Sequence, residues 1–216
     1  MARLKLGVLI SGRGSNLRSL IAACAAPGYP AEIALVISNV AGAGGLAFAE
    51  QAGIRHITIS HRDFAGRAAF DAAVEAELAK AGVELICLAG FMRILGPELL
   101  TRWTDRVINI HPSLLPSFRG LHVHEQAIAA GVKISGCTVH IVRPAVDDGP
   151  ILVQAAVPLA ADDTPETLAA RVLEAEHRIY PLAVRLIAEK RVRIAGDRAL
   201  IDGAPAAAPP LLSPAD

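Results

Sequence analysis

The chain has 216 residues, of which 53% are hydrophobic and 19% are charged. This composition supports one substantial domain with a large apolar core and excludes a wholly disordered chain. Lysine plus arginine and aspartate plus glutamate both number 21, and the resulting net charge of zero argues against nonspecific binding to nucleic acid or to an anionic membrane. A local cationic pocket for a phosphorylated small molecule remains possible.

The three cysteines and the short apolar runs indicate a cytoplasmic protein. Cys24, Cys87 and Cys137 lie far apart, and no pair has the spacing of zinc ligands, so we interpret them as small core residues. The apolar run at residues 6–10 is too short for a signal peptide, and every unbroken apolar run is shorter than a membrane span.

In the first half of the chain, apolar runs alternate with helical patterns. Short runs rich in branched residues predict buried strands at 4–10, 33–37, 56–59, 84–89 and 106–110. Helical spacing lies between them at 16–25, 43–52 and 64–81. Strands separated by helices form right-handed βαβ units, so we expect a mainly parallel sheet.

The alternation changes after residue 111. A helix is predicted at 122–130, and two apolar runs at 134–142 and 151–158 follow each other without a helix, which indicates an antiparallel pair. Thr164-Pro165-Glu166 begins a long helix that ends near residue 189. We therefore predict an α/β fold with a single Rossmann-like domain over 1–203. Its mainly parallel twisted sheet is flanked by helices and carries an antiparallel C-terminal addition. The Ala/Pro-rich segment 204–216 is predicted to be disordered.

A glycine loop, Gly12-Arg13-Gly14-Ser15-Asn16, connects the first strand to the first helix. It is either a simple turn or an anion site, because free N–H groups at a helix N-terminus favour a phosphate. Leu17 stands where a dinucleotide fingerprint has its third glycine, and no Gly-Lys-Ser/Thr sequence of a P-loop is present. The loop is therefore better suited to a single phosphate, such as a sugar phosphate, than to NAD or ATP.

Asn109 and His111 are polar residues at alternate positions of an apolar strand. They share one face of that strand, and ligands of open α/β sheets bind beyond the carboxyl ends of the strands. The alternative is a core histidine with satisfied hydrogen bonds. The pairing of an asparagine with a histidine at a strand end favours a functional role.

Other polar residues remain open to two interpretations. Asp147-Asp148-Gly149-Pro150 is ordinarily a structural turn, unless one carboxylate approaches His111, where it would orient the imidazole and favour its protonated form. His122 and His124 have no nearby third ligand for a metal, so a loop or helix-start role is favoured.

The segment after the fourth strand, at residues 88–95, is either core or one wall of a pocket for a flat ring system. On the pattern alone, Arg67 and Arg93 are solvated.

Several motifs together resemble the folate-dependent formyltransferase superfamily, and within it the phosphoribosylglycinamide formyltransferase family. They occur in order over residues 4–195: Ile10-Ser11-Gly12-Arg13-Gly14-Ser15-Asn16-Leu17, Ala89-Gly90-Phe91-Met92-Arg93-Ile94-Leu95, Asn109-Ile110-His111-Pro112-Ser113-Leu114-Leu115-Pro116 and Gly120-Leu121-His122-Val123-His124-Glu125-Gln126-Ala127. The resemblance implies transfer of a formyl group from 10-formyltetrahydrofolate, as co-substrate, to the amine of 5-phosphoribosylglycinamide. It implies no metal and no macromolecular partner, and it leaves open whether the chain is a monomer or a homodimer.

The resemblance also implies roles for particular residues. The catalytic residues would be Asn109, His111 and Asp147. The substrate would be bound by Gly14, Ser15, Asn16 and Glu176, and the folate by Arg67, Met92, Arg93, Ile94, Leu95 and Asn109. In the implied reaction, Asn109 and protonated His111 stabilise the oxyanion of a tetrahedral intermediate, and Asp147 favours the imidazolium and helps to relay a proton.

Two residues depart from the family pattern, and three other functions compete. Arg13 stands where related enzymes often have Asn, and Asp148 stands where they have a small residue, although the motif alignment favours Asp147 as the partner of His111. The competing functions are methionyl-tRNA formyltransferase, which usually has an added RNA-binding domain, formyltetrahydrofolate deformylase, which usually has an N-terminal regulatory domain, and a non-catalytic nucleotide-binding module.

Overall fold

In a computed structural model, strands and helices alternate along the described residues, which are 2–203 and 210–213. The strands are β1 (Leu4–Ile10), β2 (Ala31–Ser38), β3 (His56–Thr58), β4 (Leu85–Leu88), β5 (Val107–His111), β6 (Ile134–Ile141), β7 (Ile151–Pro158), β8 (Val192–Ala195) and β9 (Arg198–Ile201). The helices are α1 (Ser15–Ala25), α2 (Gly45–Gln51), α3 (Arg67–Lys80), α4 (Pro97–Arg102), α5 (Val123–Ala129) and α6 (Pro165–Ala188).

Seven strands form one sheet in the order β3-β2-β1-β4-β5-β6-β7. The pairs β1–β2, β1–β4, β2–β3 and β4–β5 are parallel, whereas β6–β7 is antiparallel. All four residues of β4 are buried, as expected for a parallel strand covered on both faces. The predicted α/β class, with a mainly parallel sheet and an antiparallel C-terminal addition, is confirmed.

One predicted helix begins later in the structure, and three short elements were not predicted from the sequence. The helix predicted at 64–81 begins only at Arg67, because Phe64 is extended with φ −119° and ψ 146° and a 3₁₀ turn at His61–Asp63 precedes it. The sequence patterns did not predict the six-residue α4 or the hairpin of β8 and β9. Both elements are short, and the hairpin strands consist of half-buried and exposed residues, with Arg193 and Arg198 among the exposed ones, so neither gives a strong apolar signal.

One compact unit comprises residues 1–109 and 141–144. Its core contains Leu9 and Ile37 of the sheet together with Phe70 and Val74 of α3, all less than 4% exposed. Trp103 follows α4, donates its indole N–H to Glu75 at 3.1 Å, and lies under the guanidinium of Arg106.

The other unit comprises residues 110–140 and the described residues from 145 onward. Its longest helix, α6, begins with a capping box in which Thr164 and Thr167 cap each other, and Pro165 occupies the first turn. Its buried residues are spaced by three or four and face β7 and α5. Glu176 lies within this apolar stripe and is only 6% exposed, an unusual position for a carboxylate.

Two predictions about organisation stay predictions. The first is the single domain over residues 1–203. The second is the disorder of the tail at 204–216, of which residues 204–209 and 214–216 lie outside the described residues. Residues 210–213 contain no helix or strand. None of the described helices combines the length and the apolarity that crossing a bilayer requires.

Candidate active site

The glycine loop after β1 is shaped by the close approach of two backbone segments. Gly14 has a left-handed φ of 74° and is the N-cap of α1. A Cβ at Gly14 would lie 2.4 Å from the Cα of Gly45, whose own N–H donates to the Gly12 carbonyl at 3.0 Å. Because Gly14 has no side chain to cap the helix, the N–H groups of the following residues, Ser15 and Asn16, are suited to an anion.

His111 closes β5 and is 5% exposed, and Asn109 is half-buried on the same strand. The Nε2 atom of His111 lies 3.0 Å from the carbonyl oxygen of Phe118, and Nδ1 lies 3.4 Å from Oδ2 of Asp147. A carbonyl and a carboxylate can only accept hydrogen bonds. Both ring nitrogens of His111 therefore face oxygen atoms that can only accept hydrogen bonds.

Asp147, and not the adjacent Asp148, lies against His111. The residue has a left-handed φ of 51°, and its Oδ2 accepts the Gly120 N–H at 2.9 Å. Asp148 instead forms an exposed ion pair with Arg119 at 2.5 Å. The two neighbouring carboxylates are thus separated into one buried and one solvated group.

His140 is a buried neighbour of this pair that the sequence patterns did not single out. Its Nε2 lies 3.7 Å from Oδ1 of Asp147, and the residue is 2% exposed. The two carboxylate oxygens of Asp147 therefore each face a different histidine. The available signal was a histidine at a buried position of β6, a strand whose ends are apolar.

Thr138 braces the loop that follows β5. Its hydroxyl donates to the Ser113 carbonyl at 2.7 Å and accepts the Leu115 N–H at 3.1 Å. Gln154 donates to the same hydroxyl at 3.0 Å and to the Leu115 carbonyl at 2.9 Å. These contacts, of which the two between Thr138 and the loop backbone are buried, fix the backbone just beyond His111.

The other two histidines near this loop have different surroundings. His122 is exposed and is the N-cap residue of α5, 3.4 Å from Glu125. The Nδ1 of His124 is buried without a hydrogen-bond partner among the described residues. Burial lowers the pKa of His124, the Glu125 carboxylate opposes this shift, and the nearby His111 adds to it. Within residues 2–203 and 210–213, no group of three His, Cys, Asp or Glu side chains could hold a metal ion.

The residues assigned to the folate site partly meet at one pocket. Arg67, Arg93 and Ile94 line it together with His61, Gly66 and Phe70. Met92 and Ile94 are 63% and 59% exposed, whereas Leu95 is buried in the core. The structure therefore places two arginines and an exposed apolar side chain at one pocket. Leu95 packs in the core and anchors the segment that carries Arg93 and Ile94.

Glu176 lies elsewhere, on the buried face of α6. Burial raises the pKa of the Cys137 thiol to about 12, and the negative charge of Glu176 adds to this shift, which brings α6 and β6 together at this carboxylate. Cys24, Cys87 and Cys137 are all buried and free, so the interpretation of the cysteines as core residues is confirmed.

The mainly parallel sheet, the glycine loop after β1 and the Asn-x-His pair at the end of β5 are typical of α/β enzymes that bind their ligands beyond the carboxyl ends of the strands. A formyl transferase family model matches residues 4–184, so the chain belongs to the formyl transferase family. The membership of the formyltransferases that the sequence motifs predicted is confirmed.

Relatives within this family are named phosphoribosylglycinamide formyltransferase. The chain is 43% identical to the phosphoribosylglycinamide formyltransferase of Haemophilus influenzae over 199 residues, which cover 92% of this chain and 94% of that protein. The structure matches glycinamide ribonucleotide transformylase 1 from Symbiobacterium toebii with a TM-score of 0.90 and 48% identity, covering 92% of this chain and 94% of that one.

A longer relative contains a segment similar to this chain. The chain is 50% identical over 192 residues, 89% of its length, to the trifunctional purine biosynthetic protein adenosine-3 of Gallus gallus. It spans 19% of that protein.

Proposed function

We propose that the chain transfers the formyl group of 10-formyltetrahydrofolate to the amine of 5-phosphoribosylglycinamide, a step of purine biosynthesis in the cytoplasm. The observation that carries the proposal is the buried pair of His111 and Asp147 at the end of β5, with Nδ1 and Oδ2 3.4 Å apart. The near-complete overlap with a relative named phosphoribosylglycinamide formyltransferase supports the choice of substrates.

The reaction begins with attack of the neutral amine nitrogen on the formyl carbon. Negative charge then develops on the formyl oxygen of a tetrahedral intermediate. The side-chain amide of Asn109 and an N–H of the His111 imidazolium donate hydrogen bonds to this oxygen. Donors aimed at a developing oxyanion in a buried site are typically the largest single contribution to catalysis.

Asp147 has two roles in this scheme. Its negative charge stabilises the His111 imidazolium, and its contact with the Gly120 N–H fixes its own position. As the intermediate collapses, the bond from the formyl carbon to N10 of the folate breaks. The proton lost by the amine reaches N10 through Asp147 or a water molecule that it orients.

The remaining assigned residues bind the two substrates. The amide groups of Gly14, Ser15 and Asn16 hold the phosphate at the N-terminus of α1. Glu176 contacts the glycinamide portion of the acceptor. The folate co-substrate is bound by six residues, of which three line the pocket. They are Asn109, Arg67, Met92, Arg93, Ile94 and Leu95.

The experiment compares His111→Ala with a control variant, His56→Ala, in steady-state assays. His56 is a histidine of β3, and its Nδ1 lies 3.0 Å from the carbonyl oxygen of the neighbouring Ile54. His111→Ala should lower kcat at least about 100-fold and change the Kd for the folate less than about threefold, because its main interaction belongs to the transition state. Turnover of His111→Ala equal to that of the control would refute the proposed role.

A further inference from the structure

A chain of hydrogen bonds connects the glycine loop to the pocket that contains Arg67. The backbone N–H of Met92 donates to Oγ of Ser11 at 2.8 Å, and the Ser11 hydroxyl donates to Oδ1 of Asn39 at 2.6 Å. The side-chain amide of Asn39 lies 3.2 Å from Nδ1 of His61. Ser11 directly precedes the glycine loop, and His61 lines the pocket.

The direction of these hydrogen bonds determines which nitrogen of His61 holds its proton. The carbonyl oxygen of Asn39 is occupied by the Ser11 hydroxyl, so the Asn39 group facing His61 is the NH₂ donor. Nδ1 of His61 must therefore accept, which leaves the ring proton on Nε2. Asn39 is only 4% exposed, so water cannot easily replace it and the tautomer is held by a buried partner.

The pocket is lined by cationic and neutral groups. Its six lining residues are His61, Gly66, Arg67, Phe70, Arg93 and Ile94, and none is acidic. No ion pair joins either pocket arginine to a carboxylate of the described residues. Burial raises the pKa of the nearby Asp71 carboxyl, and the positive charge of Arg67 opposes this shift without a direct ion pair. The ring of His61 is held edge-on to Phe70, with centroids 6.4 Å apart. Two guanidinium groups and one oriented imidazole N–H form a set of donors suited to a carboxylate ligand.

We propose that His61 is a further binding residue, whose Nε2–H donates to a carboxylate at the glutamate end of 10-formyltetrahydrofolate, and that Ser11 and Asn39 are positioning residues for it. The inference rests on the proposed function, because the ligand is its co-substrate. The chain of hydrogen bonds also connects the backbone of Met92, in the segment that follows β4, to Ser11, the residue before the glycine loop.

The test measures binding by calorimetry without the acceptor, so that it does not depend on turnover. Two ligands are compared: 10-formyltetrahydrofolate, and the carboxamide of 10-formyltetrahydropteroate (below, the pteroate), which has the same rings and carries neither the glutamate nor any other carboxylate. His61→Leu should weaken binding of the folate about tenfold, the effect of one lost charge-assisted hydrogen bond, and binding of the pteroate less than twofold. His61→Gln retains an N–H donor near Nε2 and should bind the folate within about threefold of the wild-type chain.

Arg62→Ala is the matched control, since Arg62 is an exposed cation next to His61 and does not line the pocket. Its folate Kd should change less than twofold. Equal weakening of both ligands by His61→Leu, or no weakening of either, would overturn the assignment of His61. Failure of the proposed function gives a different result, namely tight folate binding without formyl transfer, or no binding of either ligand by the wild-type chain.

The positioning role of Asn39 has a spectroscopic readout. In the wild-type chain, ¹⁵N chemical shifts should show His61 with its proton on Nε2, and Asn39→Ala should produce a mixture of tautomers together with a weaker folate Kd. An unchanged tautomer in Asn39→Ala would contradict the positioning role. Binding of the pteroate serves as the internal control for correct folding of this variant.

Discussion

Replacing Asp147 with asparagine removes one negative charge and preserves the local structure. Asparagine tolerates the left-handed φ of 51° that Asp147 adopts. Its side-chain carbonyl can still accept the Gly120 N–H, which contacts the carboxylate at 2.9 Å. The substitution therefore tests the charge of Asp147 rather than the shape of its turn.

The expected magnitude follows from the distance and the burial of the pair. The side chains of His111 and Asp147 are 6% and 10% exposed, so solvent screening is weak. At a separation of 3.4 Å, two unit charges attract by about 5 kcal/mol at an effective dielectric constant of about 20. The asparagine dipole retains part of this attraction, and a net loss of about 3 kcal/mol corresponds to roughly a 100-fold lower kcat.

The assay is steady-state formyl transfer by Asp147→Asn, with Asp148→Asn as the matched control. Asp148 has the same side chain but is exposed and paired with Arg119, and such surface pairs contribute about 1 kcal/mol or less to stability. Because the Asp148 carboxylate faces Arg119 rather than His111, Asp148→Asn should retain kcat within about threefold. The reasoning is refuted by a kcat of Asp147→Asn within threefold of the wild-type value, or by a larger loss in Asp148→Asn.

Three further predictions concern binding and stability. Arg67→Ala should raise the KM for the folate about tenfold and leave kcat within about threefold, because it removes a binding contact that the ground state and the transition state share; a fall in kcat alone would contradict this. Gly14→Ala should raise the KM for the phosphorylated acceptor more than about tenfold, since a Cβ would meet the Cα of Gly45 at 2.4 Å; an unchanged KM would argue against phosphate binding there. The Arg171 guanidinium holds the pKa of Asp163 well below its usual range, so this carboxylate stabilises the fold above about pH 4 and loses its contribution as pH falls further. Asp163→Asn should therefore lower Tm at pH 7 and have a smaller effect at pH 2, and a difference that grew on acidification would reverse the sign.

Much of the fold could be predicted because its signal is local. Parallel strands buried on both faces, such as β1 and β4, require runs of branched apolar residues that are visible in the sequence. The hairpin of β8 and β9 could not be found this way, because its strands are only half-buried. The six-residue α4 is too short for helical periodicity to be distinguished from a loop.

The site could be predicted only where its residues are close in the sequence. Asn109 and His111 are two residues apart on one strand, so their common face follows from the strand period. The choice between Asp147 and Asp148 depends on backbone conformation, namely the left-handed φ of Asp147, and spacing cannot predict that conformation. The roles of His140 and Asn39 depend on contacts with Asp147 and His61, which lie elsewhere in the sequence. Such contacts form only in the folded chain, so the sequence patterns could not predict them.

The central claim is that the chain transfers a formyl group to an amine acceptor, and a stoichiometric assay tests it most directly. The purified chain is mixed with 10-formyltetrahydrofolate in the presence and absence of 5-phosphoribosylglycinamide, without ATP, and the formylated acceptor, tetrahydrofolate and formate are quantified. We predict one formylated acceptor for each tetrahydrofolate formed, and negligible consumption of the folate without the acceptor. Release of formate at the same rate with and without the acceptor would contradict the claim and would indicate a deformylase instead.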